Sequence, residues 1–208
     1  MKKRYIFICI LFFLFIINTI LVFTNSYKVI DENVYNYIVS FRNNNLDTFF
    51  KLITNLASPI GVIVSIFILL IFLEKENIYK LIISVITIVS TNQLLKHTLR
   101  RIRPDHIRLV NEKGFAYPSG HTMISIVLYG ILIYIVYKNI KNKILKTILI
   151  IFLSMIIILI GISRVYLGVH YPTDILGAYL IAIPILILVC GLLEDHFRGN
   201  KNDKNSSV

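Results

Sequence analysis

Cysteine is scarce in this sequence: Cys9 and Cys190 stand alone, each embedded in an apolar run. Two isolated thiols exclude a disulfide framework and a thiolate metal site, and they read as small buried or lipid-facing side chains. Acidic residues are also few, 11 against 22 lysines and arginines, which leaves a net charge of +11. Such a balance raises the question of nucleic acid, but the charges build no soluble basic domain. They lie in short stretches between long apolar runs, as membrane proteins distribute them, so no nucleic-acid partner is expected. No small-x-small cleavage site follows the first apolar run, which is therefore expected to be a retained span rather than a removed leader. No spacer divides the chain. One membrane domain is expected over residues 1–197, followed by a polar tail, 198–208, expected to be disordered and cytoplasmic.

What the chain has in excess is apolar length. Hydrophobic residues make up 56% of it, the mean hydropathy is +0.75, and the excess over a soluble domain points to a bilayer. The first run is Tyr5 to Phe23, preceded by Lys2, Lys3 and Arg4. Between Ser26 and Asn55 the sequence is mixed. Val34, Tyr37, Ile38 and Phe41 recur at helical spacing among polar residues, which predicts an amphipathic helix in the interface. A second short helix is expected from Leu46 to Asn55. Five more runs follow, at Pro59–Leu73, Leu81–Leu95, His121–Tyr137, Ile144–Ser163 and Pro172–Leu193. The expected fold is all-α, a bundle of six transmembrane helices with a short interfacial helix between the first two spans.

An even number of spans puts both termini on one side. Lys2, Lys3 and Arg4, the cluster Lys138, Lys141, Lys143 and Lys146, and the tail residues Arg198, Lys201 and Lys204 then share that side. The positive-inside rule makes it the cytoplasm. The segment Lys96–Gly120 falls outside and is nevertheless basic, with Arg100, Arg101, Arg103 and Arg108. A basic external loop works against the topology, which implies that it has a task of its own.

Three stretches carry chemistry. The first runs from Lys96 to Arg103 and Pro104. If the helix continues past Leu95, Lys96 and Arg103 lie two turns apart on nearly one face, and Pro104 ends it. An Arg fork and a Lys point charge suit a phosphate, although interfacial cations also snorkel. The second is Tyr117-Pro118-Ser119-Gly120-His121 before an apolar helix. Ser119 fits an N-cap, Gly120 lets backbone approach a ligand, and free N–H groups at a helix start seat a phosphate. His121 in the first turn could hand a proton to a leaving oxygen; an ordinary cap with an interfacial histidine reads the same way. The third contains Ser163, Arg164, His170, Pro172 and Asp174. Asp174, four residues after His170, can accept from one ring nitrogen and leave the other as a nucleophile; a capping aspartate is the alternative. Arg164 adds a cation. Together the three supply what phosphoryl transfer needs: charge neutralisation, an in-line nucleophile and an acid.

At these residues the chain resembles the type 2 phosphatidic acid phosphatase superfamily, whose signature is K-x6-R-P, then P-S-G-H, then S-R-x5-H-x3-D. Lys96, Arg103 and Pro104, then Pro118 to His121, then Ser163, Arg164, His170 and Asp174 match every position. The resemblance implies a two-step reaction without metal or cofactor. His170 attacks phosphorus, His121 protonates the leaving oxygen and later activates water, and Asp174 orients His170. Lys96, Arg103, Ser119, Gly120 and Arg164 would bind the phosphate. His97 and His106 match no signature position, and Arg100, Arg101 and Arg108 read as headgroup attractors or loop anchors. Six spans separate the chain from the superfamily's soluble members and imply a lipid phosphate or pyrophosphate substrate at the outer face of the plasma membrane. Abundant isoleucine, asparagine and lysine point to an AT-rich bacterial genome, and undecaprenyl pyrophosphate is the first expectation for the substrate. Phosphatidylglycerophosphate or phosphatidic acid is the alternative within enzymes, and a non-catalytic lipid-binding or transport protein the alternative outside them.

Overall fold

The computed structural model describes residues 2–206, with side chains through Phe197. The expected disordered tail at 198–208 lies outside the residues described in full. Eight helices follow one another: α1 Lys2–Phe23, α2 Lys28–Val39, α3 Asn44–Asn55, α4 Pro59–Phe72, α5 Lys75–Leu99, α6 Gly120–Asn139, α7 Lys143–Tyr166 and α8 Pro172–Ser206. No strand occurs among the described residues.

Five of these helices, α1, α5, α6, α7 and α8, are long and apolar enough to cross a bilayer. The sixth expected span is not a single helix. α4 has 14 residues, about 21 Å at ~1.5 Å per residue, short of a hydrocarbon core of about 30 Å. It completes a span only with α3, against which it is bent by 54°. The break is written locally: Ser58 is the N-cap, its hydroxyl accepting from the Gly61 N–H at 3.1 Å, and Pro59 fills the first turn. α5 is longer than its apolar run at both ends, because polar flanks such as Lys75 and Asn77 continue the helical backbone without adding hydropathy. Its C-terminus corrects another expectation. The helix stops at Leu99, and Arg100 turns left-handed with φ of 51°, so Arg103 lies beyond the helix rather than two turns along it.

α6 is the central helix, packed on α5, α7 and α8. Its residues Thr122 to Tyr129 are all buried, as expected of a helix enclosed on every side. Met123, Val127, Leu128 and Ile131 meet Leu81 and Ile88 of α5, Ile160 of α7, and Ala178 and Ala182 of α8. α1 packs on α8, and α3 on the site end of α7. Exposed apolar side chains ring the bundle, among them Phe13 and Ile20 on α1, Phe67 and Ile71 on α4, and Ile151, Phe152 and Ile158 on α7. Such a belt has lipid as its natural neighbour. α2 carries the amphipathic face read from the sequence, with Val34 and Tyr37 turned outward. Its bundle side presents Tyr35 and a fully buried Asp31.

Candidate active site

The C-termini of α5 and α7 and the N-termini of α6 and α8 meet at one end of the bundle, and the loop 100–119 closes over them. The start of α6 is held from two directions, by α1 and by α8. Tyr117 is buried against Phe15 of α1, and its phenol accepts from Asn18 Nδ2 at 2.9 Å and pairs with the Thr19 hydroxyl at 2.9 Å. The Ser119 N–H donates to the Asp174 carbonyl at 3.2 Å, which ties α6 to α8. Ser119 stands at the N-cap of α6, but its side chain caps no backbone N–H. Its hydroxyl oxygen instead accepts from Thr122 Oγ1 at 3.0 Å, leaving its own proton and the first N–H groups of α6 for another acceptor. A Cβ on Gly120 would lie 3.1 Å from Asn92 Oδ1 and 3.8 Å from Lys96 Nζ, so glycine here lets the helix start close to the lysine.

His170 sits in the turn between α7 and α8 and is 1% exposed. Its Nδ1 lies 3.2 Å from Asp174 Oδ2, an oxygen that also accepts the Tyr171 N–H at 2.9 Å. A carboxylate can only accept, so Nδ1 carries the ring proton and Nε2 keeps its lone pair. That lone pair accepts from Arg103 Nη1 at 3.1 Å. Burial, reinforced by Arg103, Arg164, Lys96 and His121, holds the imidazole well below its ordinary pKa of 6.5 and therefore neutral.

The three predicted cations converge, though by different routes from those expected. Lys96 arrives on the last turn of α5. Arg103 comes from the extended loop, fixed by donation to the carbonyls of Gly114, Lys113 and Val169 at 3.0, 3.1 and 2.9 Å. Arg164, on the last turn of α7, donates to Thr54 Oγ1 of α3 at 2.7 Å and to Glu112 Oε1 at 2.5 Å, and its Nε has no hydrogen-bond partner among the described residues. Glu112 also stands 3.8 Å from His121 Nε2 and 3.9 Å from Arg103 Nη2. Burial pushes the Glu112 carboxyl up, but Arg164, His121 and Arg103 together outweigh it and hold the group below its ordinary value.

The structure thus brings together the eight residues expected to act on or bind the phosphate, His170, His121, Asp174, Lys96, Arg103, Ser119, Gly120 and Arg164, whereas His97, His106, Arg100 and Arg108 bond elsewhere. Three others are bonded into it without having been read as site residues: Glu112, Asp31 and Arg101, the last expected only to attract headgroups or anchor the loop. Glu112 belongs to a loop without periodicity, Arg101 is one of four arginines within nine residues, and Asp31 reads as a helix-start acid. Nothing in the sequence distinguishes their direction.

A helical membrane bundle with a histidine–aspartate pair, a second histidine and three cations at one end has the architecture of the membrane-embedded phosphatases. The family comparison agrees: the PAP2 superfamily model matches residues 77–198, and the chain belongs to that superfamily. Phosphatidylglycerophosphatase B of Bacillus subtilis (strain 168) is 41% identical over 105 residues, 50% of this chain and 51% of the relative, so the chain matches about half the length of that protein. The crystal structure of a transmembrane PAP2-type phosphatidylglycerolphosphate phosphatase from Bacillus subtilis superposes with a TM-score of 0.81 at 29% identity, covering 90% of this chain and 96% of that one. Aquifex aeolicus LpxE shares the fold, with a TM-score of 0.61 at 24% identity, over 78% of this chain and 93% of its own.

Proposed function

We propose that this protein is a membrane lipid phosphatase that forms a phosphohistidine on His170, with phosphatidylglycerophosphate as its substrate. One observation carries the lipid reading. A cavity of about 390 Å³ is lined at one end by Lys96, His121 and Glu112, and along its length by Ala57, Val62, Ile88 and Ile124 of the α3–α4 break, α5 and α6. A polar pocket continuous with an apolar groove suits a phosphate carried on an acyl chain.

In the proposed reaction the phosphoryl group takes the place where the Glu112 carboxylate meets Arg164, Arg103 and His121. Lys96, Arg103 and Arg164 neutralise its oxygens, with the Ser119 hydroxyl and the Gly120 N–H. Arg103 leaves Nε2 for a phosphoryl oxygen, which frees the lone pair. The Nε2–P bond forms as the bond from phosphorus to the lipid oxygen breaks, and His121 gives that oxygen a proton. Asp174 balances the charge on the phosphorylated imidazole. Water, deprotonated by His121, then displaces the histidine and releases phosphate. The protein cations do the neutralising, so no metal or cofactor takes part.

Phosphatidylglycerophosphate replaces undecaprenyl pyrophosphate as the first choice because both Bacillus subtilis relatives are named for that activity. For the sidedness, the basic flanks of α1 and of the α6–α7 turn lie at the end of the bundle away from His170, which favours cytoplasmic termini and an external site. The test is phosphate release by the purified protein, with chelator present, from phosphatidylglycerophosphate, phosphatidic acid and undecaprenyl pyrophosphate. The expected result is the highest kcat/KM for the first and loss of turnover in His170→Ala. Faster turnover of undecaprenyl pyrophosphate would overturn the substrate, and release from none of them would leave a lipid-binding protein.

A further inference from the structure

We propose that Arg101 and Asp31 are positioning residues for the reaction, a brace that sets the rotation of the Asp174 carboxylate and so selects the nucleophilic tautomer of His170. The proposal rests on the reading of His170 and Asp174 as the catalytic pair.

The two oxygens of Asp174 are divided between two tasks. Oδ2 faces His170 Nδ1 and the Tyr171 N–H, at 3.2 and 2.9 Å. Oδ1 faces away from the histidine and accepts from Arg101 Nη1 at 2.5 Å. The same guanidinium donates through Nη1 to Thr173 Oγ1 at 2.8 Å and through Nη2 to Asp31 Oδ2 at 2.7 Å. Asp31 closes the ring: its Oδ1 accepts the Thr173 N–H at 3.0 Å and its Oδ2 the Thr173 hydroxyl at 2.7 Å. Arg101 lies over the Tyr171 ring, 4.6 Å from its centre. A planar fork held at both ends is preorganised, which a flexible ammonium is not.

The arrangement has consequences for catalysis beyond holding helices together. With Oδ1 pinned, Oδ2 cannot turn away from Nδ1. If the carboxylate rotated, the ring proton would lose its acceptor and could settle on Nε2, which removes the lone pair that attacks phosphorus. The brace also reaches α2, an element carrying none of the signature residues. Asp31 and Asp174 are 1% and 0% exposed, so Arg101 is the cation between two buried carboxylates. Removing it strips each of its directly bonded cation, leaving Asp174 the Tyr171 N–H and His170, and Asp31 the two Thr173 groups. Arg101 and Asp31 line a second cavity, about 480 Å³, with Lys28, Glu32 and Tyr171. It shares no lining residue with the cavity around Lys96 and His121. In Arg101→Ala the space left by the guanidinium, which both bonds to Oδ1 and lines this cavity, would give a small cation a route to Oδ1 that avoids the substrate groove.

The experiment measures kcat and KM with phosphatidylglycerophosphate and with phosphatidic acid for wild type, Arg101→Ala, Arg101→Lys, Asp31→Asn and His170→Ala, each purified in detergent and checked for its melting temperature. Arg101→Ala is expected to lose about 100-fold in kcat with little change in KM. Added guanidinium at sub-denaturing concentration is expected to restore about tenfold of that, while equal urea restores none. Arg101→Lys falls between wild type and Arg101→Ala. Wild-type kcat in Arg101→Ala beside an inactive His170→Ala overturns the brace and leaves the catalytic reading intact, as does a loss that guanidinium does not relieve. Activity retained in His170→Ala removes the catalytic reading itself. If Arg101→Ala does not fold, Asp31→Asn decides: about tenfold lower kcat at unchanged KM supports the brace, and wild-type kcat overturns it.

Discussion

A histidine attacks phosphorus only as a neutral imidazole with an unprotonated nitrogen turned to the substrate, and the neighbours of His170 impose both conditions. Asp174 accepts a hydrogen bond from Nδ1–H and so keeps the proton on that nitrogen, and burial among cations keeps the ring from charging. This has a cost that pH reveals. The unfolded chain binds a proton at His170 once the pH drops below about 6.5, whereas the folded chain, with its depressed pKa, does not. The contribution to stability is therefore complete above about pH 6.5 and is lost as the pH falls below it. The melting temperature in detergent is expected to drop more between about pH 8 and about pH 5 in wild type than in His170→Gln. Equal drops would show that the imidazole already charges in the folded state. The His170–Asp174 pair was legible because four residues across a helix start bring two side chains together whatever surrounds them. The role of Arg101 was not. It stands beside Arg100, Arg103 and Arg108, and only the left-handed turn at Arg100 decides which of the four points at Asp174.

At the scale of elements, the α3–α4 break has the most to do with shaping the site. α3 supplies Thr54 to Arg164, and the start of α4 lines the groove beside Lys96. The bend brings the two helices so close that a Cβ on Gly61 would fall 1.9 Å from the Asn55 carbonyl oxygen. A backbone carbonyl that ends a helix cannot step aside as a flexible side chain can. Gly61→Ala is expected to lower stability by about 1–3 kcal/mol, as overpacking does. It should also raise KM, because the groove wall moves. An unchanged melting temperature and KM, from thermal unfolding and phosphate release, would mean that the break yields freely. The sequence announced a boundary here through Ser58 and Pro59, but not that the run after it is too short to span alone. Hydropathy counts apolar residues without regard to the angle at which two helices meet.

For the whole molecule, the proposed orientation makes a direct prediction. In a protein with Cys9 and Cys190 replaced by serine, a cysteine at Asn111 in the site loop is expected to react with a membrane-impermeant maleimide in intact cells. A cysteine at Lys141, in the α6–α7 turn, is expected to react only after lysis. The reverse pattern would put the site in the cytoplasm. On the proposed orientation, folding explains how a basic external loop is tolerated against the positive-inside tendency. Arg101 and Arg103 are not free surface charges but are bonded to Asp31, Asp174, backbone carbonyls and His170.

The sequence by itself determined the membrane class, the helical bundle and the superfamily. Hydropathy over a full span is a local property, and a signature fixed by chemistry keeps its spacing. Tertiary structure decided the rest: that α4 is bent by 54° against α3 instead of standing as a span of its own, that Arg103 reaches His170 from a loop, and that Glu112, Arg101 and Asp31 join the cluster. A charged residue in a polar loop looks the same whether it is solvated or buried. Which of the two occurs depends on the partner that folding brings to it, here from the far end of the chain, and no local pattern records that partner.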